Sequence, residues 1–266
     1  MRFCVSTWNY LVNRNESTNL GAVADEIARN GFGLELFLDW LPEPDIFDRT
    51  NWPVVKKCCS NRTGLSLHSR VTKTFSEEAI REEINLCRYL EADLLVVHPR
   101  SLGIEADTLE LQPSVKFGDR DLKRIFGIVE YAGKREVILA LENGTIEILE
   151  YVRDRLKEKT GLGNFRICVD TGHANLHRER DHTYLQRLFQ EFQDELIQVH
   201  VSDNFGVKDE HSLPGQGNID WPAVMSTLKE IDFEGPFVLE LRTPPPRESA
   251  GKARDFISAF FDTGMR

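Results

Sequence analysis

His200, Asp203, Asp209 and His211 fall within twelve residues of the run HVSDNFGVKDEHSLPGQGNIDW, which spans His200 to Trp221. Imidazoles and carboxylates so close together suit a divalent cation. The same types recur at the ends of other apolar runs: His68 in LSLHS, His98 in LLVVHP, Glu142 in VILALEN, Asp170 and His173 in RICVDTGHAN, and Glu240 in PFVLELR. Carboxylates converging from buried strand ends would repel one another and pay heavily in lost solvation. A divalent ion relieves both problems. Pairing with Arg70, Arg100 or Arg242 is the structural alternative. Formally, Glu142, Asp170, Asp209 and Glu240 carry −4. One divalent ion leaves −2 and three give +2, a charge that would receive phosphate. Three ions need about nine to twelve ligand bonds, which nine such side chains with a bridging carboxylate and solvent can supply. The ligand count therefore permits one to three ions.

These residues need strands to carry them. Eight short apolar runs, RFCVST, GLELFL, LSLHS, LLVVHP, VILALEN, RICVDTG, LIQVHVSD and PFVLELR, are nearly continuous in hydrophobics, as strands covered on both faces are. Amphipathic stretches separate them. SEEAIREEINLCRYLE places Ile80, Ile84, Leu86, Cys87 and Leu90 near one face behind the N-cap Ser76. TIEILEYVRDRLKEK, TYLQRLFQEFQDE and WPAVMSTLKEI repeat the pattern, the last opening with Asp220 and Pro222. The second helix is expected within DIFDRTNWPVVKKCCSN. With no linker or low-complexity break, the sequence predicts one (β/α)8 TIM barrel over residues 1–266. Such barrels keep their chemistry at the C-terminal strand ends, where the ligand types are concentrated. His177 and His182, in the polar stretch LHRERDHTY, are expected to be solvated surface residues.

The formal net charge of −10 disfavours nucleic acid and anionic membranes, although bound cations would offset it locally. No apolar run approaches bilayer length and no signal peptide is expected at MRFCVSTWNY, so a cytoplasmic location is expected. Five cysteines without a paired framework read as reduced thiols. Oligomeric state is not legible from the helix faces.

LALEN, CVDTGHAN, HVSDN, KDEHSLPGQGNIDW and LELR together resemble the xylose isomerase-like TIM-barrel superfamily, in order along nearly the whole chain. That superfamily includes sugar isomerases and epimerases and, as a distant branch, abasic-site endonucleases of the endonuclease IV type. The epimerase pattern implies one metal on Glu142, Asp170, His200 and Glu240, with His173 touching substrate. The endonuclease pattern implies further ligands at His68, His98, His173, Asp209 and His211. The implied cofactor is zinc or manganese. There are departures as well. HSRVTKTFSEEAI leaves little room for the endonucleases' DNA-penetrating wedge, with Phe75 its only aromatic residue. HPRSL lacks a second histidine, and HVSDNFG lacks the arginine usual in epimerases of free ketohexoses.

The leading expectation is a sugar or sugar-phosphate isomerase or epimerase working through an enediolate, with Glu142 and Glu240 exchanging the proton. Arg100, Lys208 and Arg242 are candidates to receive a phosphate, and Glu35 is a candidate for a hydroxyl or for a rim ion pair. The alternatives are a multinuclear zinc phosphodiesterase acting on abasic DNA or another phosphoester, and a non-catalytic sugar- or metal-binding barrel with closed coordination.

Overall fold

The computed structural model describes residues 1–12, 19–39, 44–60, 64–70, 75–104, 119–143, 145–161, 163–177 and 181–262. Eight parallel strands close in sequence order into a barrel: β1 Arg2–Ser6, β2 Gly33–Phe37, β3 Ser66–His68, β4 Leu94–Val97, β5 Ile138–Glu142, β6 Phe165–Asp170, β7 Leu196–Val201 and β8 Pro236–Leu239, with β8 pairing back to β1. The helices are α1 Trp8–Val12, α2 Leu20–Arg29, α3 Trp52–Cys59, α4 Glu77–Tyr89, α5 Asp119–Gly133, α6 Ile146–Thr160, α7 Thr171–Asn175, α8 Tyr184–Glu191, α9 Trp221–Glu230 and α10 Pro246–Asp262. This is the (β/α)8 barrel expected from the eight runs. Among the described residues no helix is long and apolar enough to cross a membrane, and all five cysteines are reduced.

The apolar runs hide a period of two. Leu34, Leu36, Leu67, Leu95, Val97, Leu139, Leu141, Ile167, Val169, Val199, Val201, Phe237 and Leu239 join the large core shared with the helices. The alternate positions Leu94, Val96, Ala140 and Cys168 form a separate cluster inside the barrel, with Ile138 and Ile197 against it. The run looks continuous because both sets are apolar. Along β4 and β5 the inward set turns polar only at its last member, where a ligand type stands, whereas on β2, β3 and β7 Glu35, Ser66 and Gln198 bring polar groups one step deeper.

Helix starts follow their caps. Ser76 accepts from Ala79 N, with Glu77 and Glu78 in the first turn. Thr145 accepts from Ile148 N, and Asp220 from Ala223 N ahead of Pro222.

The loop after β7 is fixed by one buried carboxylate. Asp203 accepts from Asn204 N (2.9 Å), Gly215 N (2.8 Å), Ile219 N (3.3 Å) and Trp221 Nε1 (2.9 Å). A Cβ at Gly217 would come within 2.2 Å of Asn204 O and Asp203 Oδ1, so the turn closes only on glycine. Asp203→Ala would strand several buried donors at roughly 1–3 kcal/mol apiece. A loss on the order of 3 kcal/mol is expected in urea denaturation, against at most about 0.5 kcal/mol for the exposed Lys208→Ala. Equal effects for the two would refute the assignment of Asp203 as the anchor.

A candidate metal centre at the barrel mouth

Glu142, at the end of β5, is the hub. Its Oε2 lies 3.1 Å from His68 Nε2 and 3.4 Å from His98 Nε2, and its Oε1 lies 2.8 Å from His173 Nδ1. His200, beside Asp170 in the β6–β7 register, turns Nδ1 between Glu142 Oε2 (3.8 Å) and Glu240 Oε2 (3.7 Å). In the loop after β7, Asp209 Oδ2 meets His211 Nε2 at 2.8 Å and lies 3.6 Å from His173 Nε2. Asp170 Oδ1 accepts from His173 N at 2.8 Å, so the residue that ends β6 also starts α7. The structure thus brings His68, His98, Glu142, Asp170, His173, His200, Asp209, His211 and Glu240 into one cluster.

Outer contacts set which ring nitrogen faces inward. Ser69 O lies 2.8 Å from His68 Nδ1, and Glu240 O lies 3.0 Å from His211 Nδ1. A carbonyl can only accept, so both Nδ1 atoms are protonated and both Nε2 atoms are left for the centre. The ring of His211 also lies against Trp8, at 4.4 Å between centroids.

The donor set fits a divalent cation. Four trios have ligand atoms within 4.8 Å of one another: His68–Glu142–His200, Glu142–Asp170–His173, His173–Asp209–His211 and Glu35–His200–Glu240. Glu35 Oε1, Asp170 Oδ2, His200 Nδ1 and Asp209 Oδ1 are buried without a hydrogen-bond partner, while Glu142 Oε1 and His173 Nδ1 have only each other. Unpaired buried polar atoms cost about 1–3 kcal/mol each, a cost that coordination removes.

The charges are tightly linked. Burial pushes the His98 imidazole down to about 4 against the pull of Glu142. Burial opposes protonation of His68 too, but Glu142, joined by Glu240 and Glu35, holds the ring up at about 9. His173, His200 and His211 also resist burial and sit above the ordinary imidazole range, owing to carboxylates around them. Burial would raise Glu35, Glu142 and Asp209, yet neighbouring histidines hold all three below the usual carboxylate range. Glu240 goes the other way: burial dominates, and Glu35 and Glu142 add to it.

Two residues stand where the sequence did not place them. Glu35 is not in a rim ion pair but fully buried, with Oε2 3.3 Å from His200 Nε2. His177 is 7% exposed rather than solvated, its ring stacked on Tyr184 at 4.7 Å. The polar neighbours of His177 in sequence concealed that packing. His182 is exposed as expected. Gln198, Ser66 and Trp8 were missed. Gln198 had a signal, because it precedes His200 by two and so shares its face of the strand.

The arginines of the structural alternative are engaged elsewhere or exposed. Arg70 Nε donates to Glu83 at 2.8 Å and its guanidinium covers Phe47. Arg242 lies over Trp8. Arg100, Lys208 and Arg242 are all exposed. Phe75 packs beneath Arg124. Residues 71–74, within the stretch HSRVTKTFSEEAI that leaves little room for a DNA wedge, lie outside the described residues, as do 13–18, 40–43 and 105–118 in the loops after β1, β2 and β4.

A family model described as xylose isomerase-like TIM barrel matches residues 45–260. An uncharacterised protein of Methanocaldococcus jannaschii is 31% identical over 70% of this chain and 63% of its own. A probable endonuclease 4 of Mycoplasma pneumoniae is 26% identical over 64% of this chain and 62% of its own, and an inosose dehydratase of Bacillus licheniformis is 26% identical over 68% and 69%. The chain spans 53% to 65% of the first three curated relatives it matches. In fold, a D-tagatose 3-epimerase-like protein superposes with a TM-score of 0.71 at 24% identity, covering 98% of this chain and 97% of that one. The IolI protein, solved with a bound zinc atom, superposes at 0.69 with 19% identity, covering 99% and 100%.

The linked charges make a pH prediction. His68, with a folded value near 9, keeps a proton that the unfolded chain releases near 6.5. Its contribution is present below pH 6.5 and fades as the pH climbs towards 9. His98 is neutral when folded and protonated when unfolded below 6.5, so its contribution fades as the pH falls towards 4. Chelated protein should therefore show its highest melting temperature near neutrality and lose stability towards pH 9. Stabilisation by added zinc should grow over that same upper window, because the ion competes with those protons. A melting temperature that rises from pH 6.5 to 9 in chelator would contradict this.

Proposed function

Because the chain belongs to the xylose isomerase-like TIM-barrel family, we propose that it is a metal-dependent isomerase or epimerase of a sugar or sugar phosphate. The supporting observation is the pair of carboxylates flanking His200: Nδ1 sits 3.8 Å from Glu142 Oε2 and 3.7 Å from Glu240 Oε2. Two carboxylates converging on one point of the mouth could act as the pair of bases that proton exchange at one carbon needs. Glu142, Asp170, His200 and Glu240 would hold one ion, zinc or manganese, with His68, His98, His173, Asp209 and His211 available for one or two more. Such an ion polarises a carbonyl and the adjacent hydroxyl, which makes the neighbouring C–H more acidic.

The protein's own groups do the rest. Glu142 and Glu240 take and return the proton from opposite sides of the bound carbon. His173, between Glu142 and Asp209, positions a hydroxyl. Arg100, Lys208 and Arg242 on the exposed rim would meet a phosphate, if the sugar carries one. The buried walls limit water around the reacting carbon, while the carboxyl protons of Glu142 and Glu240 exchange with solvent between turnovers.

A second reading, multinuclear phosphoester hydrolysis, is favoured by the sharing of Glu142 Oε2 between His68 and His98 and by the separate His173–Asp209–His211 trio.

Ketoses and their phosphates incubated in D2O should gain deuterium beside the carbonyl. Glu142→Gln and Glu240→Gln should each slow that exchange about 10²–10⁴-fold. Elemental analysis supplies the counterpart. One ion per chain, unchanged by His68→Ala/His211→Ala, supports sugar chemistry. Three ions falling to one, with cleavage of abasic DNA or a small phosphodiester and no deuterium exchange, would replace it with hydrolysis.

A further inference from the structure

Glu35 is assigned no part in either reaction, yet it is among the most carefully supported groups in the barrel. It is fully buried on β2, across the barrel from β7. Gln198 Nε2 at 2.6 Å and Ser66 Oγ at 3.1 Å donate to its Oε2, and His200 Nε2 lies 3.3 Å from the same oxygen. A lone buried carboxylate would be expelled or neutralised. Here side chains from β3 and β7 hold it under the centre.

Gln198 Nε2 is also 2.9 Å from His200 Nε2, and its two N–H groups can reach both neighbours, so two proton arrangements of His200 are open. If Gln198 donated to His200, Nε2 would be the acceptor and Nδ1 would carry the proton, aimed at Glu142 and Glu240. His200 could then not ligate an ion through Nδ1. If Gln198 donates to Glu35, Nε2–H is free to donate to Glu35 as well, and the Nδ1 lone pair faces the two glutamates. Nδ1 has no hydrogen-bond partner and faces the carboxylates of Glu142 and Glu240, which would share a cation with it. That favours the second arrangement, because a buried N–H left without an acceptor is costly and a lone pair there is what a cation takes up.

We propose that Glu35 is a positioning residue: held by Gln198 and Ser66, it takes the Nε2 proton of His200 and commits Nδ1 to the cation shared with Glu142 and Glu240. This rests on the metal-centre reading of the site. The negative charge also makes His200 a stronger ligand, as carboxylates behind metal-binding imidazoles do. Direct ligation by Glu35 is the competing role, since Glu35, His200 and Glu240 also lie within ligand distance of one another.

Long-range ¹H–¹⁵N spectra of zinc-loaded, unaltered protein read the tautomer without any substitution. The His200 signals are identified by their absence in His200→Gln. The expected pattern is a protonated Nε2 and a metal-bound Nδ1. Chelator competition on Glu35→Gln, an isosteric change that keeps an acceptor, should show zinc affinity lowered about 10–100-fold at unchanged stoichiometry. Glu35→Ala should fall further. Zinc bound through Nε2 of His200, or unchanged affinity in Glu35→Gln, would overturn the proposal while leaving the metal centre intact. Loss of one whole ion in Glu35→Gln would make Glu35 a ligand and overturn it too. Failure of the unaltered protein to bind zinc or manganese at all would instead remove the metal-centre reading beneath it.

Discussion

Charge density in a dry place governs this barrel mouth. Glu35, Glu142, Asp170 and Glu240 are buried and Asp209 partly so, all within reach of the same few ångströms. Anions this close cannot all stay ionised in a low-dielectric site without compensation. Positive charge must come either from protons on the imidazoles or from bound cations. His68, His173, His200 and His211 are drawn upward by their carboxylate neighbours, and His98 is driven downward by burial. The rest of the scaffold serves this balance: strand ends deliver the groups, and the contacts behind them decide which atom of each faces inward.

Those strand ends were legible in the sequence because a parallel barrel has a simple rule for them. Inward positions repeat every second residue, and the last inward residue of each strand meets the mouth. Along β4 and β5, Leu94, Val96 and His98, then Ile138, Ala140 and Glu142, follow that rule from apolar to reactive. What stayed hidden needed contacts across the barrel. Glu35 is separated from Gln198 by 163 residues and from His200 by 165, and nothing in GLELFL reports those partners. His177 fails for a related reason: its burial comes from Tyr184, while its sequence neighbours are polar.

Two aspartates six residues apart show the limit of residue type as evidence. Asp203 and Asp209 both follow His200, and a metal-ligand reading could attach to either. Asp203 faces four N–H donors from the turn that it closes, so its oxygens are already satisfied. Asp209 faces two imidazoles and has a buried oxygen without a hydrogen-bond partner. The first builds the loop; the second is presented by it. A network of Asn175, Asn204 and Asn218 braces the same turn, with Asn175 Nδ2 donating to Asn204 Oδ1 at 2.9 Å and to Asn218 Oδ1 at 2.8 Å. Asp209 and His211 therefore project from a fixed platform, which a site needing ångström-level placement requires.

The two flanking glutamates are not equivalent, and the asymmetry bears on how the site would work. Glu142 has two oxygens approached by four imidazoles: those of His68, His98, His173 and His200. Whether those rings donate protons to it or share cations with it, they withdraw electron density and lower its basicity. Glu240 is approached by His200 alone among them, at 3.7 Å, and burial beside Glu35 and Glu142 makes its anion more basic. In proton exchange Glu240 would be the stronger base and Glu142 the stronger anchor. In hydrolysis the same asymmetry would make Glu142 the firmer ligand and Glu240 the looser one. One electrostatic imbalance, set by how many histidines touch each carboxylate, would therefore divide the labour under either chemistry.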